Sequence, residues 1–321
     1  MTTLAILGLG SIGMRHARNI LTLGHKVLGY DPAEKNRQAL TELGGNVAGS
    51  AAKAIGGADA VVIATPSGQH LADVDAVIAA GRHVFVEKPL AHTVEGVEAL
   101  LDKADAGNIK VFAGLNQRFN PAVIAARDLI KEGKIGDILW ARLISSSYLP
   151  DWRPHQDHRN GYAADSRTGG VIFDVIHEFD IANYLLGPAK TIAATSRNTG
   201  LLGIESEDCA DIVLQHEGGH HASIHLDYVT RPRRRNTEIA GTLGVLAVDL
   251  AGRRLELTDI SGNQTLSRKW ETTVDEDYRQ EIASFLRCVE TRENPACDGR
   301  EALTILRQVI SARQLCGLPQ S

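Results

Sequence analysis

Residues 4–13 read LAILGLGSIG. An apolar run, Leu4 to Leu7, gives way at once to Gly8, Gly10 and Gly13, and a helix-period pattern opens with Ser11 and Ile12. In a strand–turn–helix, the first glycine allows the tight turn and the second lets backbone approach a pyrophosphate. The third lets helix and strand pack closely. The helix N-terminus then turns its unpaired N–H groups toward the phosphates. A glycine pattern alone is a weak sign, because glycines also serve plain turns. Here a second strand-like run, KVLGY, ends beside Asp31, 18 residues after Gly13. An acid at that place accepts hydrogen bonds from the ribose hydroxyls and repels a 2′-phosphate. The reading is a dinucleotide site built from Gly8, Gly10, Ser11, Ile12, Gly13 and Asp31. NAD is favoured, and Lys35 and Arg37 nearby leave NADP as the lesser option.

Outward from this stretch, short apolar runs alternate with helical patterns up to residue 118. LAILGL, KVLGY, DAVVIAT, HVFVE and KVFAGL read as strands, with LADVDAVIAA and VEGVEALLDKADA as helices between them. Such alternation means βαβ units, and continuous apolar strands mean a parallel sheet covered on both faces. After Pro121 the rhythm changes. One helix, PAVIAARDLIKEG, leads to ILWARLISSSY, KTIAATSR, CADIVLQH, HASIHLDYV, NTEIAGT, GVLAVDL and RLELTD, several separated only by turns. That is the pattern of antiparallel pairing. A helix over 170–186 interrupts the strands, and helices near 278–291 and 300–315 close the chain. The expected fold class is α/β: an N-terminal Rossmann domain with a doubly wound parallel sheet, over residues 1–118. A C-terminal α+β domain with a large, mostly antiparallel open sheet follows over 119–321, its helix 300–315 able to pack back on the first domain.

Bulk properties narrow the class. With 43% hydrophobic and 23% charged residues, the composition is that of an ordinary globular chain with ample core. A net charge of −5 argues against nucleic acid or an acidic membrane surface as a partner. Cys209, Cys288, Cys297 and Cys316 are widely spaced with no CxxC pair, which suits reduced thiols. The opening MTTLAILGLG has no basic leader and no cleavage pattern, and no apolar run approaches a membrane span. The expected localisation is cytoplasmic.

Three further motifs carry chemistry. Thr65 and Pro66 follow the fourth strand and His70 starts the next helix. Strand ends in such sheets line the ligand crevice, so these residues are candidates for cofactor contact, with a plain turn as the competing reading. HVFVEKPL (83–90) brings Glu87 and Lys88 to the end of the fifth strand, aimed at the same crevice. A lysine there hydrogen-bonds a substrate hydroxyl; the competing reading is a surface ion pair before a strand-ending proline. In GGVIFDVIHEFD (169–180), Asp174, His177 and Asp180 fall at i, i+3 and i+6 of a helix that is otherwise apolar almost all round. Buried polar residues need partners or a role, and a histidine beside a carboxylate is suited to general base work.

Taken together, GLGSIG, the EKP of Glu87 to Pro89, GLNQRFNP (114–121) and the GG…D…HExD stretch resemble the Gfo/Idh/MocA oxidoreductases. The likeness extends to LPDWRP (149–154), LDYVTRPRRR (226–235) and EALTILRQVISARQ near the C-terminus, so it covers essentially the whole chain. The resemblance implies an NAD(P)-dependent sugar or polyol dehydrogenase with Lys88, Asp174 and His177 as catalytic residues. It implies Asn116 and Arg118 near the nicotinamide and the sugar. It also implies a homodimer or homotetramer formed through the C-terminal sheet. Many members step four residues from the Asp to the His. Here the step is three, as in a subset of the family, which makes His177 the firmer assignment and Asp180 the fallback partner.

For the substrate, Trp152, Arg153 and His155 lie in a long polar loop suited to a lid, continued by Asp157, His158 and Arg159. Arg231, Arg233, Arg234 and Arg235 form a charge run that is either a solvated turn or a binding site for a carboxylate or diphosphate, as on a sugar acid or nucleotide sugar. No histidine spacing completes a zinc pattern, so no metal is expected. The mechanism expected is hydride transfer between a carbinol carbon and the nicotinamide, with His177 as base, Asp174 orienting it and Lys88 bonding the reacting oxygen. A redox glycosidase that uses NAD transiently, and a non-catalytic NAD or sugar sensor, are the competing functions.

Overall fold

A computed structural model describes residues 1–319. The chain forms two compact units: Met1–Asn116 with Thr273–Leu306, and Gln117–Thr272 with the residues from Arg307 on.

The first unit begins with β1 (Thr3–Leu7), α1 (Ser11–Thr22), β2 (Lys26–Tyr30), α2 (Glu34–Glu42) and β3 (Asn46–Val47). It continues through α3 (Ala51–Gly56), β4 (Ala60–Ile63), α4 (His70–Ala79), β5 (His83–Glu87), α5 (Val97–Ala106) and β6 (Val111–Gly114). The sheet order is β3-β2-β1-β4-β5-β6, every pair parallel. This is the doubly wound order, with its reversal point between β1 and β4. Leu4, Ala5, Ile6, Val61, Val62 and Ile63 are wholly buried, as strands covered on both faces must be.

The second unit holds α6 (Pro121–Lys131), β7 (Ile138–Tyr148), α7 (Val171–Asp174), α8 (His177–Leu186), β8 (Ala189–Arg197) and β9 (Cys209–His216). Then come β10 (His221–Asp227), β11 (Val229–Gly241), β12 (Gly244–Asp249), β13 (Arg254–Asp259) and β14 (Gln264–Lys269). Its eight strands run β14-β13-β12-β11-β7-β10-β9-β8, antiparallel except for β7 with β10. Alternate residues of β9 and β10 are buried, so one face of the sheet carries the core.

The chain closes with α9 (Val274–Thr291), which a Thr273–Glu276 capping box starts, and α10 (Gly299–Leu315). The rhythm of the sequence places 119–321 in one domain with a last helix able to pack back on the first, and residues 273–306 cluster with the first unit. The reason is apolar: Phe285 of α9 packs edge-on against Phe85 of β5 and Phe112 of β6. Arg15 of α1 also pairs with Asp275 and covers the Tyr278 ring.

Three elements differ from the expected ones. The helix expected over 170–186 is two helices, because Val175 leaves helical geometry at φ −97 and ψ 36. Two β-branched residues, Val175 and Ile176, stand at the break, where helix preference is weak. The arginine run belongs to β11 rather than to a turn: Arg234 pairs with Ser146 and Arg235 with Ser145 of β7. β14, QTLSRK, is a polar edge strand that its composition concealed. No described helix is long and apolar enough to cross a membrane.

Candidate active site

In the first unit, the residues read as cofactor-binding gather at the carboxyl ends of the parallel strands. Gly8 has φ +86, and a Cβ on it would lie 2.5 Å from the Ala64 carbonyl oxygen, so the turn after β1 requires glycine. A Cβ on Gly13 would meet the Gly8 oxygen at 1.9 Å, which is the close helix–strand approach. Gly10 differs: a Cβ there would meet nothing within 4 Å, so this backbone faces open space. Gly10 also caps α1 without a side-chain bond, and no acid stands in the first turn, where Ser11 and Ile12 lie. An exposed helix N-terminus behind a glycine is what an anionic diphosphate needs.

Asp31 is fixed beside this loop. Its Oδ2 accepts from the Leu9 N–H and its Oδ1 from the Ala33 N–H, both at 2.8 Å. Arg37, which with Lys35 leaves NADP open, donates to the Asp31 and Pro32 carbonyls. The Thr65 hydroxyl donates to Asp73 at 2.6 Å and Pro66 is exposed. Ser67 lies 3.0 Å from the His92 ring. His70, expected at the cofactor, is 1% exposed and lies beneath the loops. Its two ring nitrogens meet the carbonyls of Pro89 and Thr65, at 2.8 and 2.9 Å, so it ties those two turns together. Glu87 is also turned inward: its Oε1 accepts from His16 Nε2 at 2.6 Å, and its Oε2 accepts from the Lys88 N–H at 3.2 Å. Lys88 is half-buried, and Asn116, after β6, is buried.

In the second unit, Asp174 ends α7 and His177 opens α8, three residues on and across the break. The Asp174 carboxylate accepts from the Tyr162 hydroxyl at 2.8 Å and the Tyr228 hydroxyl at 3.0 Å. Tyr228 is wholly buried, and burial together with the Asp174 charge pushes its hydroxyl well above the usual range. It therefore stays a donor. Neither tyrosine was singled out as a partner of Asp174, and nothing in their spacing signals it. Trp152 stacks edge-on against Tyr228, 5.5 Å between centroids, and Arg153 lies over Tyr162. The structure thus brings two expected substrate residues to the Asp174 cluster. His155 is exposed on the same loop.

Other expected site residues hold partners of their own. Asp180, the fallback partner for His177, accepts from Arg118 Nε at 2.8 Å, with Nη2 at 2.7 Å. Arg118, expected at the substrate, is 4% exposed and also covers the Tyr184 ring. Its guanidinium is thus held in a buried, charge-assisted pair. Glu178 is likewise taken by Arg235, at 2.7 and 3.1 Å. Of the polar residues in DVIHEFD, His177 alone is half-exposed. Arg231 pairs with the exposed Asp151 and lies 3.5 Å over the Tyr148 ring.

Among the described residues, one group approaches a metal-ligand set: His16, Glu87 and Glu281, with ligand atoms within 4.8 Å of one another. Two donors on one zinc ion stand roughly 3 Å apart or more, given metal–ligand bonds near 2.1 Å. The 2.6 Å between His16 and Glu87 is a hydrogen bond instead.

Comparison with known proteins fits this geometry. Residues 2–115 match the model of the GFO/IDH/MocA oxidoreductase family, NAD-binding Rossmann fold, and 123–247 match that of the GFO/IDH/MocA C-terminal domain. The chain belongs to the Gfo/Idh/MocA family. It is therefore an NAD(P)-dependent oxidoreductase, and the open backbone at Gly10 and the anchored Asp31 fit the cofactor. Among curated members of the family, an inositol 2-dehydrogenase of Rhizobium meliloti is 28% identical, the match covering 80% of each chain. A scyllo-inositol 2-dehydrogenase (NAD+) of Bacillus subtilis is 26% identical over 96% of this chain and 92% of its own. An Agrobacterium radiobacter oxidoreductase solved with NAD+, L-tartaric acid and magnesium superposes with a TM-score of 0.86 over 98% of this chain and 96% of that one. At 23% identity that likeness speaks for the fold alone.

Proposed function

We propose that this Gfo/Idh/MocA chain interconverts a secondary alcohol and a ketone on a cyclic polyol or sugar, using NAD. The observation that carries the proposal is Asp174, clamped by two tyrosine hydroxyls three residues before the half-open His177, in a chain with an NAD-type Rossmann unit. When bound, the nicotinamide accepts or returns the hydride. His177 takes the hydroxyl proton, and Asp174 holds the imidazole's orientation and stabilises its protonated form. Lys88 hydrogen-bonds the reacting oxygen and stabilises negative charge developing there. Trp152, Arg153 and Tyr162 border the Asp174 cluster and contact the ring of the substrate.

A neutral polyol or sugar fits better than an anionic one, because Arg231 and Arg235 are already paired with Asp151 and Glu178. The names of the curated relatives point the same way. The first unit is the cofactor domain and the second is the substrate domain, with subunits joining through the large sheet. The work is cytoplasmic, where the four cysteines, all free, stay reduced.

The test is reduced-nicotinamide absorbance with NAD or NADP across inositols, aldoses, sugar acids and nucleotide sugars. The expected result is a substrate-dependent rise with NAD and a neutral cyclic polyol or sugar. A flat trace throughout, with NAD shown by calorimetry to bind, overturns the proposal.

A further inference from the structure

His16 is among the buried polar groups of the cofactor unit that the mechanism leaves unused. His16 sits on α1, three residues after Gly13, and is 0% exposed. Its ring is held edge-on by Phe85 at 5.1 Å and by Tyr278 at 5.9 Å, so it has little freedom to turn. From this fixed position Nε2 donates to Glu87 Oε1 at 2.6 Å, the length of a strong charge-assisted bond. The other oxygen of the same carboxylate accepts from the backbone N–H of Lys88. Glu87 is the last residue of β5 and Lys88 the first beyond it, where no strand pairing holds the chain. The carboxylate therefore does for Lys88 what a ladder bond does within the sheet. His16 in turn fixes the carboxylate to the helix whose N-terminus faces the diphosphate.

We propose that His16 is a positioning residue for Lys88, acting through Glu87, so that one hydrogen-bonded bridge joins the cofactor helix to the lysine. The proposal rests on the reading of Lys88 as the group that bonds the reacting oxygen. A shift of about 1 Å in such a group costs on the order of a hundredfold in rate. Loss of the bridge must appear in kcat, while the glycine loop and Asp31, which bind the cofactor, are left in place.

The experiment is a double-mutant cycle with His16→Leu, His16→Gln and Lys88→Ala, using NAD and the best substrate of the panel above. H16L removes the donor, whereas H16Q keeps an N–H at the reach of Nε2. The expected result is a fall in kcat of about 10- to 100-fold for H16L, with KM and the calorimetric Kd for NAD within about twofold. H16Q restores most of the loss. In the K88A background H16L adds nothing further, because a residue acting through another has no effect once that one is gone.

An equal fold-loss in both backgrounds overturns the proposal and makes His16 a packing residue. So does H16Q no better than H16L. If K88A is impaired while H16L turns over normally, this inference alone fails. If K88A is as active as the parent, the reading of Lys88 fails and takes this inference with it. Should H16L not fold, Glu87→Gln replaces it: weakened bonds to both partners must lower kcat with NAD binding kept, and an unchanged kcat overturns the bridge.

Discussion

At the scale of single residues, the loop after β1 is shaped by the Cβ that Gly8 and Gly13 lack and by the backbone N–H groups that Asp31 accepts. Gly8, Gly13 and Asp31 announce themselves because each answers a local demand of one strand–turn–helix, within 31 residues of the N-terminus. Asp31 supports a direct prediction. Its carboxylate is anchored by two backbone N–H groups, so it presents a fixed negative charge at the end of β2. Asp31→Ser removes the repulsion against a 2′-phosphate and the acceptor for the ribose hydroxyls. The ratio of kcat/KM for NADP over NAD should rise by about tenfold or more, one such interaction with a charged group being worth about 1.5–3 kcal/mol. An unchanged ratio in steady-state assays removes Asp31 from cofactor choice. By contrast, the buried partner of Arg118, Asp180, is 62 residues away. Tyr228 meets Asp174 from 54 residues away. No local pattern encodes such a pair.

At the scale of elements, strand and helix periods were legible wherever one face is buried. They failed where polar residues lie in a strand or where a helix breaks on apolar residues. β11 hides its arginines in this way: Arg235 reads as solvated charge yet lies buried in the ladder against Glu178. The break at Val175 is equally silent, since VIFDVIHEF is apolar on nearly every side.

The neighbouring strands β9 and β10 carry a pH dependence. His225 lies between Asp227 at 3.3 Å and Asp211 at 2.7 Å, and hydrogen bonds to these carboxylates raise its pKa to about 9 despite its partial burial. A folded pKa above the ordinary 6.5 means the imidazolium stabilises the fold. That contribution is full below pH 6.5 and is lost as pH rises through about 9. Thermal melts of the parent and His225→Gln should therefore differ most near pH 6 and converge above the raised pKa of about 9. A gap that does not change with pH would show that His225 is uncharged in the fold.

At the scale of the whole molecule, the change from alternating to antiparallel rhythm marks the boundary near residue 117, but not that α9 joins the first unit along with the start of the last helix. That joining depends on Phe285 finding Phe85 and Phe112, 200 and 173 residues earlier, a core contact that periodicity cannot reveal. On the proposed reading, each unit carries a share of the chemistry. The first holds the glycine loop, Asp31 and the Lys88 bridge, and the second holds the tyrosine-clamped Asp174 beside His177. The proposed role of Lys88 is to act on the reacting oxygen rather than on the cofactor or the fold. The most direct test is to measure turnover and NAD affinity together in Lys88→Ala. Loss of one donor to developing charge lowers kcat by about 10²–10³-fold, and the predicted result is that loss with the NAD Kd and melting temperature essentially unchanged. Turnover equal to that of the parent protein would remove Lys88 from the chemistry.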